Sequence, residues 1–223
     1  MKKPFVIAID GASSTGKSTL AKGLAKALGF PHVDSGAMYR GVTLYVQQHG
    51  LIENKKVKTE TLLSQLDDIH LRFEGDTFWL NGVDVSAEIR SMQVSEAVSL
   101  VAAIPQVRTF LVAQQRIMGA SQSVVMDGRD IGTVVFPKAD LKLFLTADVN
   151  TRAQRRFDEL SAQNNLTSVA EVRNNLAERD HLDSTRAESP LVQAADAIVL
   201  DATQYTVESM RDHVLDLVAE RLN

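Results

Sequence analysis

Gly11-Ala12-Ser13-Ser14-Thr15-Gly16-Lys17-Ser18 is the segment that most narrows what this chain can fold into. It fits G-x-x-x-x-G-K-[ST] at a point where a strand should hand over to a helix. Phe5-Val6-Ile7-Ala8-Ile9 before it is a short apolar run suited to a buried strand, and Leu20, Leu24 and Leu28 after it recur at helical spacing. Gly11 and Gly16 let the backbone curl round an anion, while the helix N-terminus turns unpaired amides and partial positive charge towards it. Gly11, Ala12, Ser13, Ser14, Thr15, Gly16, Lys17, Ser18 and Thr19 therefore form a candidate triphosphate loop. Lys17 is placed to reach the β and γ phosphates and Ser18 to ligate Mg²⁺.

Composition removes several other chemistries. With no cysteine, neither a disulfide framework nor a thiolate nucleophile is available. The five histidines (32, 49, 70, 181, 213) lack ligand spacing, which argues against zinc, and His32, near the phosphate end, shows no proton to move. A length of 223 residues with 44% apolar content supports one substantial core with a small inserted lobe. The apolar run after Met1-Lys2-Lys3-Pro4 stops at Asp10, and no later run approaches transmembrane length, so the expectation is a cytoplasmic protein without a membrane partner. A net charge of −4 offers no broad attraction to a nucleic acid polymer. Beyond residue 60 the basic residues are arginines apart from Lys138 and Lys142, a bias that favours planar, bidentate phosphate contacts.

The pattern along the chain predicts an α/β fold. Five strands, at 5–10, 31–34, 124–126, 141–145 and 197–200, alternate with helices and imply a parallel sheet covered on both faces. Between them, residues 69–73, 77–80 and 83–85 read as an antiparallel meander, with Asn81-Gly82 as a type I′ turn. Helices are expected at 37–48, 92–102, 106–119, 150–160, 169–180 and 207–222, and a polar loop with a further helix at 51–66. No apolar helix is left over beyond those needed for the core, which favours a monomer.

The phosphate loop leaves the acceptor open: water, a small metabolite, another nucleotide, or a switch without turnover. No N-K-x-D segment for guanine is present. Four further blocks narrow the choice: Asp34-Ser35-Gly36-Ala37-Met38-Tyr39-Arg40, Val85-Ser86-Ala87-Glu88-Ile89-Arg90, Asp127-Gly128-Arg129-Asp130 running on to Pro137, and Glu178-Arg179-Asp180 with Asp183 and Arg186. With the phosphate loop they make the chain resemble, over nearly its whole length, the bacterial cytidylate kinases of the nucleoside monophosphate kinase family. The resemblance implies a P-loop kinase core at 1–34 and 103–223, a monophosphate-binding region with the meander at 35–102, and a short lid near 150–165. It also implies transfer of the ATP γ-phosphate to CMP or dCMP with Mg²⁺. At His181, Leu182, Ser184 and Thr185 the chain departs from a more charged family pattern.

By the same resemblance Ser35, Arg40, Ser99, Arg108, Arg129, Asp130, Arg179, Asp183 and Arg186 are the acceptor set, with Asp130 at the sugar. Lys17, Arg129, Arg179 and Asp130 are the catalytic candidates, and Arg156, four residues from Arg152, joins the ATP side. Asp127, after a buried-type strand, is placed to hold a Mg²⁺-bound water. The chemistry asks for such groups in any case, because two anionic nucleotides must approach and the transferring phosphoryl group spreads charge over three oxygens. A hydrolase coupled to movement fits the loop but not the other blocks; the alternatives are a kinase of another monophosphate or small metabolite and a regulator that binds CMP and ATP without turnover.

Overall fold

The apolar run around Ile7 forms β1 (Val6–Gly11), buried at every position, as expected of a strand covered on both faces of a parallel sheet. The computed structural model describes residues 3–162 and 167–222. Residues 163–165 of the expected lid lie outside them. Strands β2 (His32–Asp34), β8 (Val124–Gly128), β9 (Leu141–Thr146) and β10 (Ile198–Asp201), numbered in chain order, join β1 in one sheet of order β10-β9-β1-β8-β2. β1 runs parallel to both neighbours, with Asp10 beside Gly128 and Gly11 beside Leu145. The five predicted strands are therefore present, each with ends moved by one or two residues.

By compactness the chain divides into Met1–His32 with Gln122–Asn223, and Val33–Ser121. In the first unit, helix α1 (Lys17–Leu28) and the closing helix α8 (Val207–Leu222) pack on the sheet. Leu20, Leu24, Met210 and Val214 share a buried cluster with Ile7, Ile9 and Leu143. Helices α6 (Val149–Ala162) and α7 (Val169–Thr185) form a second cluster through Ala153, Leu160, Val172 and Leu176. A reciprocal capping box between Ser168 and Glu171 starts α7. The helix then runs five residues beyond the expected end, carrying Asp180 and Asp183 on helical backbone.

The second unit holds α2 (Ser35–Gln48), α4 (Met92–Ala102), α5 (Pro105–Ser121) and the expected meander, β5 (Leu71–Glu74), β6 (Thr77–Leu80) and β7 (Val83–Asp84). Asn81 and Gly82 both have positive φ, as a type I′ turn requires. Gly41 of α2 admits the Phe78 ring: a Cβ there would lie 2.7 Å from Phe78 Cε1. A two-residue hairpin, β3 (Ile52–Glu53) with β4 (Lys56–Val57), replaces part of the expected polar loop and is followed by α3 (Thr59–Ser64). α5 groups with this unit by compactness; the monophosphate-binding region that the resemblance implies ends at residue 102. Among the described residues no single helix is long and apolar enough to cross a membrane.

Gly11 marks the point where β1 becomes the phosphate loop. Its φ of 149° and the Leu145 carbonyl, which an added Cβ would strike, both exclude a side chain. The obstacle is sheet backbone and cannot rotate away. Gly11→Ala is therefore expected to destabilise the fold by about 3 kcal/mol, lowering the thermal midpoint by about 5–10 °C in calorimetry.

Candidate active site

Ser14, with φ 59°, and Gly16, with φ 96°, turn the chain between β1 and α1 through left-handed backbone, which gathers the loop's amides at the helix N-terminus. Lys17 folds back across this turn. Its ammonium donates to the Ala12 carbonyl at 2.5 Å and lies 3.4 Å from Thr15 Oγ1. Only 5% of the residue is exposed. Burial, and then the charge of nearby Arg129, push its pKa down from 10.5 to about 7.

Behind the loop, Asp127 stands next to the end of β8, buried along its whole length, with both carboxylate oxygens engaged. The Ser18 hydroxyl donates to Oδ2 at 2.8 Å, and His32 Nε2 lies 2.7 Å from Oδ1. Among the described residues no group of three or more His, Asp or Glu is arranged to hold a metal ion. One hydroxyl and one carboxylate beside a phosphate loop nevertheless suit Mg²⁺, which keeps waters and takes further ligands from phosphates instead of an all-protein cage. The donor set fits the expected ion at Ser18 and Asp127.

Asp10, unnoticed in the sequence, organises the segment after Asp127. Its carboxylate accepts from the amides of Ile131 and Gly132, each at 2.7 Å. These open a single π-helical turn, Ile131–Val135, closed by Val135 N–H to Asp130 O and Phe136 N–H to Ile131 O. Burial raises the Asp10 pKa from 3.8 to about 6 despite both amides. The turn leaves Arg129 and Asp130 just ahead of a segment tied to β1.

Arg129 spans two elements. Nε donates to Asp183 Oδ2 at 2.8 Å and Nη2 to Ser13 Oγ at 2.7 Å, so one guanidinium ties α7 to the phosphate loop. Burial works against Asp183 ionising, but Arg129, Arg179 and Arg186 outweigh it and hold the carboxyl below its ordinary pKa. Arg179 lies one turn before Asp183 on α7, and its charge is felt by Lys17 as well. Arg186 is the C-cap of α7, where the backbone turns extended. It sits 3.6 Å from Asp183 and 4.0 Å from Asp130, which is buried.

Two arginines of α6 also reach the loop. Arg152 Nη1 lies 2.6 Å from Asp180 Oδ2 and 3.3 Å from the Ser13 carbonyl, and Arg155 Nη1 lies 3.4 Å from the Thr15 carbonyl. Arg156, assigned to the ATP side from the sequence, pairs with Glu159 three residues on. Arg152, Arg155 and Arg156 stand at i, i+3 and i+4, neighbouring positions on one side of α6.

In the second unit, Asp34 caps α2 by accepting from the Ala37 amide at 2.9 Å and holds Arg40 Nη2 at 2.7 Å. Ser35 is the buried first residue of that helix. Arg108 of α5 is buried, donates to the Ala102 carbonyl and stacks over the Tyr39 ring with 5.3 Å between centres. Ser99 is half-buried on α4.

A parallel sheet ending in a phosphate loop, with a buried lysine, a hydroxyl-carboxylate pair and arginines gathered on that loop, defines a P-loop kinase. Residues 7–220 match the sequence profile of the family described as cytidylate kinase. A cytidylate kinase of Parabacteroides distasonis is 52% identical over 221 residues, covering 96% of each chain. One of Flavobacterium psychrophilum is 51% identical over 222 residues, covering 97% of this chain and 98% of the relative. Among solved structures, an uncharacterised protein of Eubacterium ventriosum has a TM-score of 0.55 at 14% identity, covering 98% of this chain and 99% of that one. That likeness speaks to fold alone. The chain belongs to the cytidylate kinase family.

Proposed function

We propose that this chain transfers the γ-phosphoryl group of ATP directly to CMP or dCMP, giving ADP and CDP or dCDP. The observation that carries the reading is the Arg129 guanidinium, bonded at once to Ser13 of the triphosphate loop and to Asp183 of α7. An oxygen of the acceptor phosphate forms the new bond to the γ phosphorus as the bond to the β-phosphate oxygen breaks. Little covalent work falls to the protein. Lys17, Arg129 and Arg179 offset the charge on the transferring group, and the loop amides hold its orientation. Mg²⁺, held at Ser18 and through water at Asp127, would supply further charge neutralisation on the phosphates.

In the second unit Ser35, Arg40, Ser99 and Arg108 are assigned to the monophosphate. Asp130 is assigned to its sugar or to the cytosine amine, Asp183 to the same acceptor set, and Arg186 to a phosphate or ribose contact. A carboxylate there rewards the exocyclic amine of cytosine, where uracil presents an oxygen. The enzyme is taken to act as a cytoplasmic monomer.

The test is to incubate the purified chain with ATP, Mg²⁺ and each nucleoside monophosphate and quantify the diphosphates. Equal amounts of ADP and CDP, or ADP and dCDP, are expected. Fast UMP or AMP conversion with negligible CMP and dCMP conversion overturns the substrate assignment. Binding of both nucleotides without turnover overturns the enzyme assignment.

A pH-dependent signature follows from Lys17. With its pKa near 7, the side chain is mostly neutral at pH 8 in the free protein. The approaching phosphates favour its charged form. Binding of the fully ionised Mg-nucleotide at pH 8 is therefore expected to take up about one proton, and at pH 6 almost none. Calorimetric titration in buffers of different ionisation enthalpy measures this directly. In Lys17→Arg, always protonated, the uptake should disappear. Uptake unchanged in that variant would place the titrating group elsewhere.

A further inference from the structure

Among the described residues His32 is the one histidine in contact with the proposed metal-holding carboxylate, and neither the phosphate-loop motif nor the acceptor blocks assign it a role. Its place is set by backbone. The Val125 amide of β8 donates to the Pro31 carbonyl at 3.0 Å, which fixes β2 alongside β8 and places the next residue, His32, near the middle of that strand. The His32 side chain, 13% exposed, then meets the Asp127 carboxylate, 4% exposed, at 2.7 Å. A carboxylate accepts, so Nε2 carries the proton and donates to Oδ1.

We infer that His32 is a positioning residue for the divalent cation: its N–H fixes the Asp127 carboxylate so that Oδ2 stays with the Ser18 hydroxyl and the carboxylate faces the metal-bound water. The two contacts act together. Ser18 can donate its proton to Asp127 while its oxygen lone pairs ligate the ion, provided that the carboxylate does not rotate. His32 opposes that rotation from the other oxygen. Partners of this kind behind a metal-holding group commonly govern affinity by about 10- to 100-fold.

The inference rests on the reading that Ser18 and Asp127 hold the cation, and its test keeps the two apart. The full-length protein with ADP is titrated with Mn²⁺ and free Mn²⁺ is followed by electron paramagnetic resonance. His32→Phe keeps a ring but loses the donor, His32→Leu serves if the ring is not tolerated, and His32→Gln restores an N–H. His32→Phe or His32→Leu is expected to weaken Mn²⁺ binding about tenfold, with metal-free ADP affinity unchanged and with affinity recovered in His32→Gln. Wild-type Mn²⁺ affinity in the donor-less variants, or equal loss in all of them, overturns the positioning role. A wild-type protein that holds no Mn²⁺ beside ADP overturns the metal reading itself and the inference with it.

Discussion

Lys17→Ala is expected to lower kcat by about two to three orders of magnitude, corresponding to roughly 3–4 kcal/mol of lost transition-state stabilisation, while the unliganded protein keeps its thermal midpoint or gains slightly. The two halves of this outcome share one cause. Lys17 is buried beside Arg129 and under the charge of Arg179, which is why its pKa is depressed to about 7. Because its pKa rises on unfolding, the charged side chain costs stability below about pH 7. That cost fades as pH rises from about 7 towards the ordinary lysine value near 10.5. Deleting it removes an unfavourable group from the free fold. The same desolvated cation becomes favourable when negative charge develops on the phosphoryl oxygens, since little water competes for it. Steady-state rates at saturating ATP and CMP, read with a melting curve, check both halves. Unchanged turnover in a folded variant removes Lys17 from the chemistry.

Where the chain's own periodicity or a local motif decides the structure, the sequence was legible. β1 followed by α1 follows from an apolar run, two glycines and leucines four apart, and the meander from alternation closed by Asn81-Gly82. The β3–β4 hairpin escaped because Asn54 and Lys55 supply its positive-φ turn, and lysine is not a residue that marks such turns. The extension of α7 escaped because residues 181–185 lack an apolar stripe. They stay helical where Arg129 and Arg186 hold Asp183.

Within the site, the loop motif, the strand before Asp127 and the family resemblance singled out the loop, Asp127, Arg129 and Asp183 as candidates, but partnerships across sheet neighbours left no local trace. Asp10 looks like the polar end of a strand, yet β1 lies beside β8 and its carboxylate receives the amides that open the turn after Asp130. His32 is similar: nothing in its neighbourhood of the chain points to Asp127, almost a hundred residues on, and only the β8-β2 adjacency joins them.

Arg129→Lys should cost about 3 kcal/mol in kcat/KM, roughly 150-fold, although the substitution preserves the charge. The guanidinium uses separate nitrogens for Asp183 and Ser13, whereas a lysine ammonium is a single point at the end of a flexible stem and cannot fill both positions. The family resemblance puts Arg129 in the acceptor set, so that CMP binding should suffer with the ATP site largely intact. Its bond to Ser13 revises that expectation: kcat/KM is expected to fall for ATP as well as for CMP. The fold should survive, because Asp183 retains the charges of Arg179 and Arg186 around it. Asp130→Asn offers the contrast, changing the order of preference among CMP, dCMP and UMP through the lost carboxylate charge while leaving ATP largely unaffected. Titrating each variant with all four nucleotides separates the roles. If Arg129→Lys weakens the monophosphates and spares ATP, the Ser13 contact has no weight in the working enzyme; if it only lowers the melting temperature, Arg129 is a strut between α7 and the loop and takes no part in transfer.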